Sequence, residues 1–156
     1  MKPCEIKSLL HSPLWIASLL RSYFSGAQEI KNEGIGFELS FLALPFLLNE
    51  SSIEYLSHGN KNSTINKILT NNELRSIFLD IRNKIEYYKP ITKKGIVVLS
   101  SIDSLEVSNN IRLLNQYKYS QEKNEYKKKH YKAAYNLGAI VAKEEPLELL
   151  VKFGVY

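Results

Sequence analysis

Lysines alternate with tyrosines between positions 117 and 135, and this is the densest chemistry in the chain. Lys118, Lys123, Lys127, Lys128, Lys129 and Lys132 interleave with Tyr117, Tyr119, Tyr126, Tyr131 and Tyr135. An ammonium meets a phosphate as a point charge, and a phenol ring stacks on a base or hydrogen-bonds to it. Lys123, Lys127, Lys128 and Lys129 are therefore the candidate nucleic-acid contacts. On a helix these positions fall on several faces. That spread favours a solvated lysine face whose tyrosines pack inward over a nucleic-acid surface.

The remaining reactive residues do not form a catalytic set. His11, His58 and His130 are far apart in sequence, with no cysteine or carboxylate at metal-ligand spacing. His58 sits in a polar stretch, where a solvated histidine is the simplest expectation. Cys4 has only Lys2 and Lys7 nearby, too little positive charge to make a nucleophilic thiolate. Gly34-Ile35-Gly36 lacks the third glycine and the preceding strand of a dinucleotide loop, and no P-loop lysine motif occurs. Glu144-Glu145 are adjacent acids before Pro146, a pattern more typical of a solvated helix end than of a metal site. The sequence predicts no catalytic residue, metal or cofactor, and so a chain that is not an enzyme.

Elements that would position these residues follow from periodicity. Ser12-Pro13 is a helix start, since serine is a good N-cap and proline a good first helical residue. Apolar residues from Leu14 to Phe24 cover more than one side of that helix, which predicts a central position. Residues 37–48 read as a second buried helix, ended or kinked by Pro45. A polar stretch spans 49–64, with a loop around 57–63 and a short helix over 64–70. The spacing of Leu74, Ile77, Phe78, Ile81, Ile85 and Tyr88 predicts an amphipathic helix over 72–89, closed by Pro90. Residues 91–102 read as a further helix with Thr92 as its cap. Two short strands over 104–108 and 111–114 follow, joined through Asn109-Asn110, because asparagine tolerates a positive φ. A long helix over 120–143 is charged at first and then small and apolar, so another helix can approach it closely. The tail over 146–156 is too apolar to be a free end.

The fold class expected is mainly α with a small β-hairpin, an α+β arrangement resembling a winged helix. It forms one domain over 1–156, with a helical part over about 1–90 and a helix, hairpin and long helix over about 91–156. The chain has 156 residues, which excludes a (β/α)₈ barrel of roughly 250 residues and a two-domain cofactor enzyme. Lys and Arg number 21 against 16 acids, for a net charge of +5. A single cysteine forbids an internal disulfide and suits a reducing compartment. The run at 39–48 is about half the ~20 residues of a membrane span. No signal-peptide pattern is present at the N-terminus. These features predict a cytoplasmic protein with no membrane association.

Three segments carry a family resemblance. They are Ser12-Pro13 to Phe24 followed by Gly26, the FLALPFLL run over 41–48, and KAAYNLGAIVA over 132–142 with the tail to Gly154-Val155. Together they resemble the small middle component of three-component ABC/SMC-like systems, of which Lamassu-type defence systems are an example. Here Ser12 stands where that family often has asparagine. The resemblance implies a non-catalytic adaptor in a prokaryotic anti-phage and anti-plasmid complex. Its partners would be an SMC-like ABC ATPase and an effector nuclease, with DNA touched inside the complex. The apolar segments supply the expected partner interface: Phe41, Leu44, Phe46 and Leu47 from one, Leu149, Leu150 and Phe153 from the other. The alternative is a stand-alone winged-helix DNA-binding protein, resting on the net charge, the hairpin and the lysine-tyrosine helix.

Overall fold

Helix α1 (Pro13–Ile30) is the axis of the molecule, and the computed structural model describes residues 2, 3 and 11–155. Ile16, Ala17, Leu19, Leu20, Tyr23, Phe24 and Ala27 on this helix are all buried, so it presents apolar surface in nearly every direction. A helix apolar all round must be enclosed. Its neighbours are α7 (Glu125–Ala142) on one side and α6 (Ile81–Ile102) on another.

The α1–α7 contact is set by two glycines. A Cβ on Gly138 would lie 1.9 Å from the Tyr23 carbonyl oxygen, and one on Gly26 would lie 1.9 Å from the Tyr135 carbonyl oxygen. The two backbones therefore touch, and no larger residue fits at either position. Gly95 plays a milder version of this part on α6, where a Cβ would meet Ile16 Cγ2 at 2.5 Å.

The apolar run at 37–48 is a 3₁₀ segment (Phe37–Leu42) followed by α2 (Ala43–Leu47). The break therefore precedes Pro45, which sits in the first turn of α2, where its missing N–H costs nothing. Tyr23 Oη donates to the Leu39 carbonyl at 2.7 Å and ties the 3₁₀ segment to α1. Burial pushes the Tyr23 hydroxyl pKa far up, so the group stays a donor.

The polar stretch after it is not all loop. Asn49 accepts from Ser52 N at 3.1 Å and caps α3 (Glu50–His58), whose Ile53 and Leu56 face the core. The short helix over 64–70 is α4 (Ile65–Leu69), capped by Thr64. The amphipathic stretch over 72–89 divides: a 3₁₀ turn (Asn72–Leu74) and α5 (Arg75–Phe78) come first, then α6 begins at Ile81.

Pro90 does not close a helix, because α6 runs through it to Ile102. Pro90 lies on the exposed side, where the carbonyl one turn earlier can turn to water, while Ile85, Ile96 and Leu99 hold both flanks to the core. Thr92 is accordingly a buried mid-helix residue rather than a cap.

The hairpin is β2 (Leu105–Val107) and β3 (Asn110–Leu113). Asn110 is the first residue of β3, and no described non-glycine residue has a positive φ, so the turn does not use asparagine in that way. A third strand, β1 (Ile35–Gly36), completes an antiparallel sheet of order β1-β3-β2, with Ile35 opposite Ile111 and Leu105 opposite Leu113. Gly34 enters β1 at a φ of 91°, and a Cβ there would meet the Ile111 carbonyl oxygen at 2.1 Å. Gln28 fastens the sheet to α1: its Nε2 donates to Leu113 O at 3.0 Å, and its Oε1 accepts from Leu113 N at 2.7 Å.

The long helix starts later than its periodicity suggests, at Glu125, because Asn124 caps it by accepting from Lys127 N at 3.1 Å. The tail forms α8 (Pro146–Lys152) and docks on the core through Leu149 and Phe153. The architecture is thus mostly helical, with a small three-stranded antiparallel sheet and one hydrophobic core shared by both parts of the chain.

Replacing Gly138 or Gly26 by alanine is expected to destabilise the fold by about 3 kcal/mol or more, the upper range for overpacking against an immovable backbone. Gly59→Ala is a control for glycine replacement away from that contact, since a Cβ there would come no closer than 3.5 Å to the atoms of any residue beyond its chain neighbours. Urea unfolding followed by far-ultraviolet circular dichroism measures both.

Candidate functional site

Three helices open a cleft at one end of α1. Trp15 comes from the first turn of α1. Tyr126 and His130 lie one turn apart on α7, and Glu50 and Glu54 one turn apart on α3. Leu47, Leu48 and Ile53 form an apolar floor, and His11 and Tyr88 complete the wall of a cavity of about 560 Å³. That volume is within the range of small-ligand sites.

The cleft is aromatic. Trp15 lies nearly parallel to Tyr126, with centroids 6.2 Å apart and planes at 22°. His130 meets Trp15 edge-on at 5.5 Å and Tyr126 at 4.3 Å. Tyr131 backs Trp15 at 5.8 Å. His11 and Tyr88 meet edge-to-face at 5.9 Å.

Its charges are few and ordered. Lys129 Nζ is bonded to Glu54 Oε1, which spans α7 and α3. Glu54 Oε2 lies 3.6 Å from His58 Nδ1. His130 Nδ1 is 2.8 Å from the Tyr126 carbonyl, which can only accept, so Nδ1 carries the proton and Nε2 is the acceptor of the neutral ring. Burial lowers the His130 pKa, and the Lys129 charge lowers it further; the Tyr126 carbonyl and the Glu50 charge act the other way. The ring is thus held towards its neutral form.

The lysine-tyrosine stretch is resolved towards packing. Tyr131 is buried. Tyr117 meets Tyr131 at 5.9 Å and lies under the Arg21 guanidinium at 4.0 Å, and Tyr119 packs on Tyr135 at 5.2 Å. Only Tyr126 projects outward. Lys123 and Lys127 are exposed, Lys128 is half-buried and Lys129 is paired with Glu54. The four lysines therefore do not share a surface with stacked tyrosines.

The residues expected at a partner interface are a correction of larger consequence. Phe41, Leu44, Phe46, Leu47, Leu149 and Phe153 are buried in the chain's own core, and Leu150 is half-buried against it. Phe153 stacks on Phe78 at 5.5 Å and meets Phe46 at 6.0 Å. These named side chains are taken up by the chain's own core, and the apolar residues that α8 leaves exposed are Leu147 and Val151. Glu144 pairs with Lys152 at 3.4 Å, and Glu145 caps α8 by accepting from Glu148 N at 2.9 Å. His58 ends α3, exposed, as a solvated residue would. Cys4 lies outside the described residues.

Periodicity could not have found Trp15, Glu50, Glu54, His11 or Tyr88 as a group, because they come from separate elements. The one available signal was the single Trp. Among the described residues, no group of three or more His, Cys, Asp or Glu is arranged to hold a metal ion, and no helix is long and apolar enough to cross a membrane.

Residues 3–156 match the family model described as ABC-three component (ABC-3C) system Middle Component 3. The chain belongs to that family. No curated protein and no solved structure matches it. As a Middle Component 3 the chain is one part of a multi-component system, which agrees with the accessory role that its apolar and small-residue motifs imply. The match extends over the cleft and the sheet alike.

The His130 ring is expected to titrate below the usual histidine value of about 6.5, read by NMR. Glu50→Gln should lower that midpoint further, because the Glu50 charge favours the protonated ring. A depressed folded-state pKa means the unfolded chain takes up its proton first. The contribution of His130 to stability is then present above about pH 6.5 and lost as the pH falls.

Proposed function

We propose that the chain is the non-catalytic adaptor of its ABC-three component system. It would join an SMC-like ABC ATPase to an effector nuclease in a prokaryotic complex of the Lamassu type, directed against phages and plasmids in the cytoplasm. The observation that carries the reading is the family match over residues 3–156. The arrangement of the chain is compatible with it. In this reading the polar and aromatic cleft serves as a recognition surface, in which Lys129 and Glu54 neutralise each other. Outward apolar side chains such as Leu147 and Val151, one turn apart on α8, supply further contact area.

The test is co-expression of all components of the native system, with and without this chain. The adaptor reading expects the ATPase and effector to co-purify only when the chain is present. Their stable association in its absence would overturn it.

A second reading, DNA binding through a winged helix, is supported by the hairpin that follows α6 in the chain and by the sheet order β1-β3-β2. A winged helix presents the helix before its hairpin to DNA. The exposed side of α6 carries Arg82, Lys93 and Lys94. In this reading the isolated chain binds duplex DNA with an affinity that falls steeply between about 50 and 200 mM salt. Charge reversal at Lys93 and Lys94 abolishes that binding if α6 is the contact, and reversal at Lys127 and Lys128 abolishes it if α7 is. Absence of binding at low salt removes the reading.

A further inference from the structure

We propose that the cleft between α1, α3 and α7 receives a guanidinium, delivered as an arginine side chain of a partner subunit.

The walls supply the first argument. Trp15 and Tyr126 both line the cavity, their rings stacked on one another with centroids 6.2 Å apart, so a guest meets this aromatic pair from the cavity side rather than between the rings. The face of an indole or phenol ring is electron-rich and attracts a cation, and tryptophan does so best. A planar guanidinium also stacks on such faces, which a compact ammonium cannot.

The sign of the charge supplies the second. The chain as a whole carries +5, yet among the described residues the charged ones lining the cleft are two carboxylates, Glu50 and Glu54, and one ammonium, Lys129. Lys129 is spent on Glu54. Glu50, exposed at the rim in the first turn of α3, gives the described lining a net negative charge. A neutral His130 adds no positive charge to offset it, and its Nε2 offers an acceptor to an N–H donor. Aromatic faces, a carboxylate and a neutral acceptor are the complement of a guanidinium, with its five N–H donors and delocalised charge. A nucleotide would stack as well, but its phosphate would be set against Glu50. A neutral apolar side chain would fill the floor and leave Glu50 unanswered.

That the arginine comes from a partner rests on the adaptor reading. The preference of the cleft for a guanidinium does not.

Trp15 is the only tryptophan, so its fluorescence reports on this cleft alone. The full chain is titrated with N-acetylarginine amide at constant ionic strength. Parallel titrations use N-acetylcitrulline amide, which has nearly the same shape without the charge, and adenosine monophosphate. A saturable change with the arginine probe alone is expected. Glu50→Gln, an exposed change that leaves the circular dichroism spectrum as it is, should weaken the binding about tenfold, the worth of one charge-assisted hydrogen bond. No saturable response to arginine overturns the proposal. So does an equal response to citrulline, a stronger response to the nucleotide, or unchanged affinity in Glu50→Gln. Co-purification is read independently: a chain that enters its complex but ignores the arginine probe refutes the cleft assignment and leaves the adaptor reading intact.

Discussion

Everything else in this fold depends on the backbone contact between α1 and α7 at Gly26 and Gly138. Each helix fills the space where the other would need a side chain, with gaps of 1.9 Å for any added Cβ. Close approach of two helices buries much surface per residue, but only if the contact strip is small. Ser22, Ser25, Gly26 and Ala27 supply that strip on α1, and Ala134, Gly138, Ala139 and Ala142 are among the small buried residues of α7. The large residues Leu19, Leu20 and Phe24 are then free to meet the other neighbours of α1. The crossing also fixes the axis of α7. Its charged first half is carried past the start of α1, which brings Tyr126 and His130 to Trp15.

Polar anchors hold the remaining pieces to this pair. Gln28 substitutes for a strand neighbour by giving β3 one donor and one acceptor. Ser25 Oγ accepts from Tyr117 N at 3.1 Å and holds the segment after the sheet. Asn136, buried on α7, donates to the Leu56 carbonyl at 2.8 Å and to Gly59 O at 3.3 Å, and so closes the end of α3. These bonds satisfy backbone groups that burial would otherwise leave unpaired, at a cost of about 1–3 kcal/mol each. They set the position of small elements that have too little apolar surface to place themselves. The cleft inherits its geometry from this: α3 is held at one end by Asn136 and on its exposed face by the Glu54–Lys129 pair.

The apolar segments of a small protein can serve its own core or a partner. In this Middle Component 3 they serve the core. Phe46, Phe78 and Phe153 come from three distant parts of the sequence and close on each other. The family match makes the chain one part of a multi-component system, and its described surface carries scattered outward apolar residues, the exposed side of α6 and the aromatic cleft.

Local chemistry was sufficient for the start of α1 at Ser12-Pro13, for its central position, for the hairpin and for the docking of the tail. It was also sufficient for the close approach of the small-residue half of α7. For the helices a few neighbouring residues carry the physics: a proline at the first turn, a run of alanines and glycine; Ser12 stands at the N-cap of α1 without a side-chain bond. It misjudged Pro90, because a proline stops a helix only when its surroundings cannot absorb the lost bond. It missed α3 because Asn49 and the buried Ser52 read as polar loop until Ile53 and Leu56 have a core to face. It missed β1 because a two-residue strand exists only by virtue of β3, some 75 positions away. The amino-acid sequence by itself determined the central helix α1, the long helix α7 and the family they build. Only the tertiary structure decided that the apolar segments are interior and that Trp15, Glu50 and His130 share a cleft, because burial and proximity between distant residues are properties of the packed chain and not of any stretch of it.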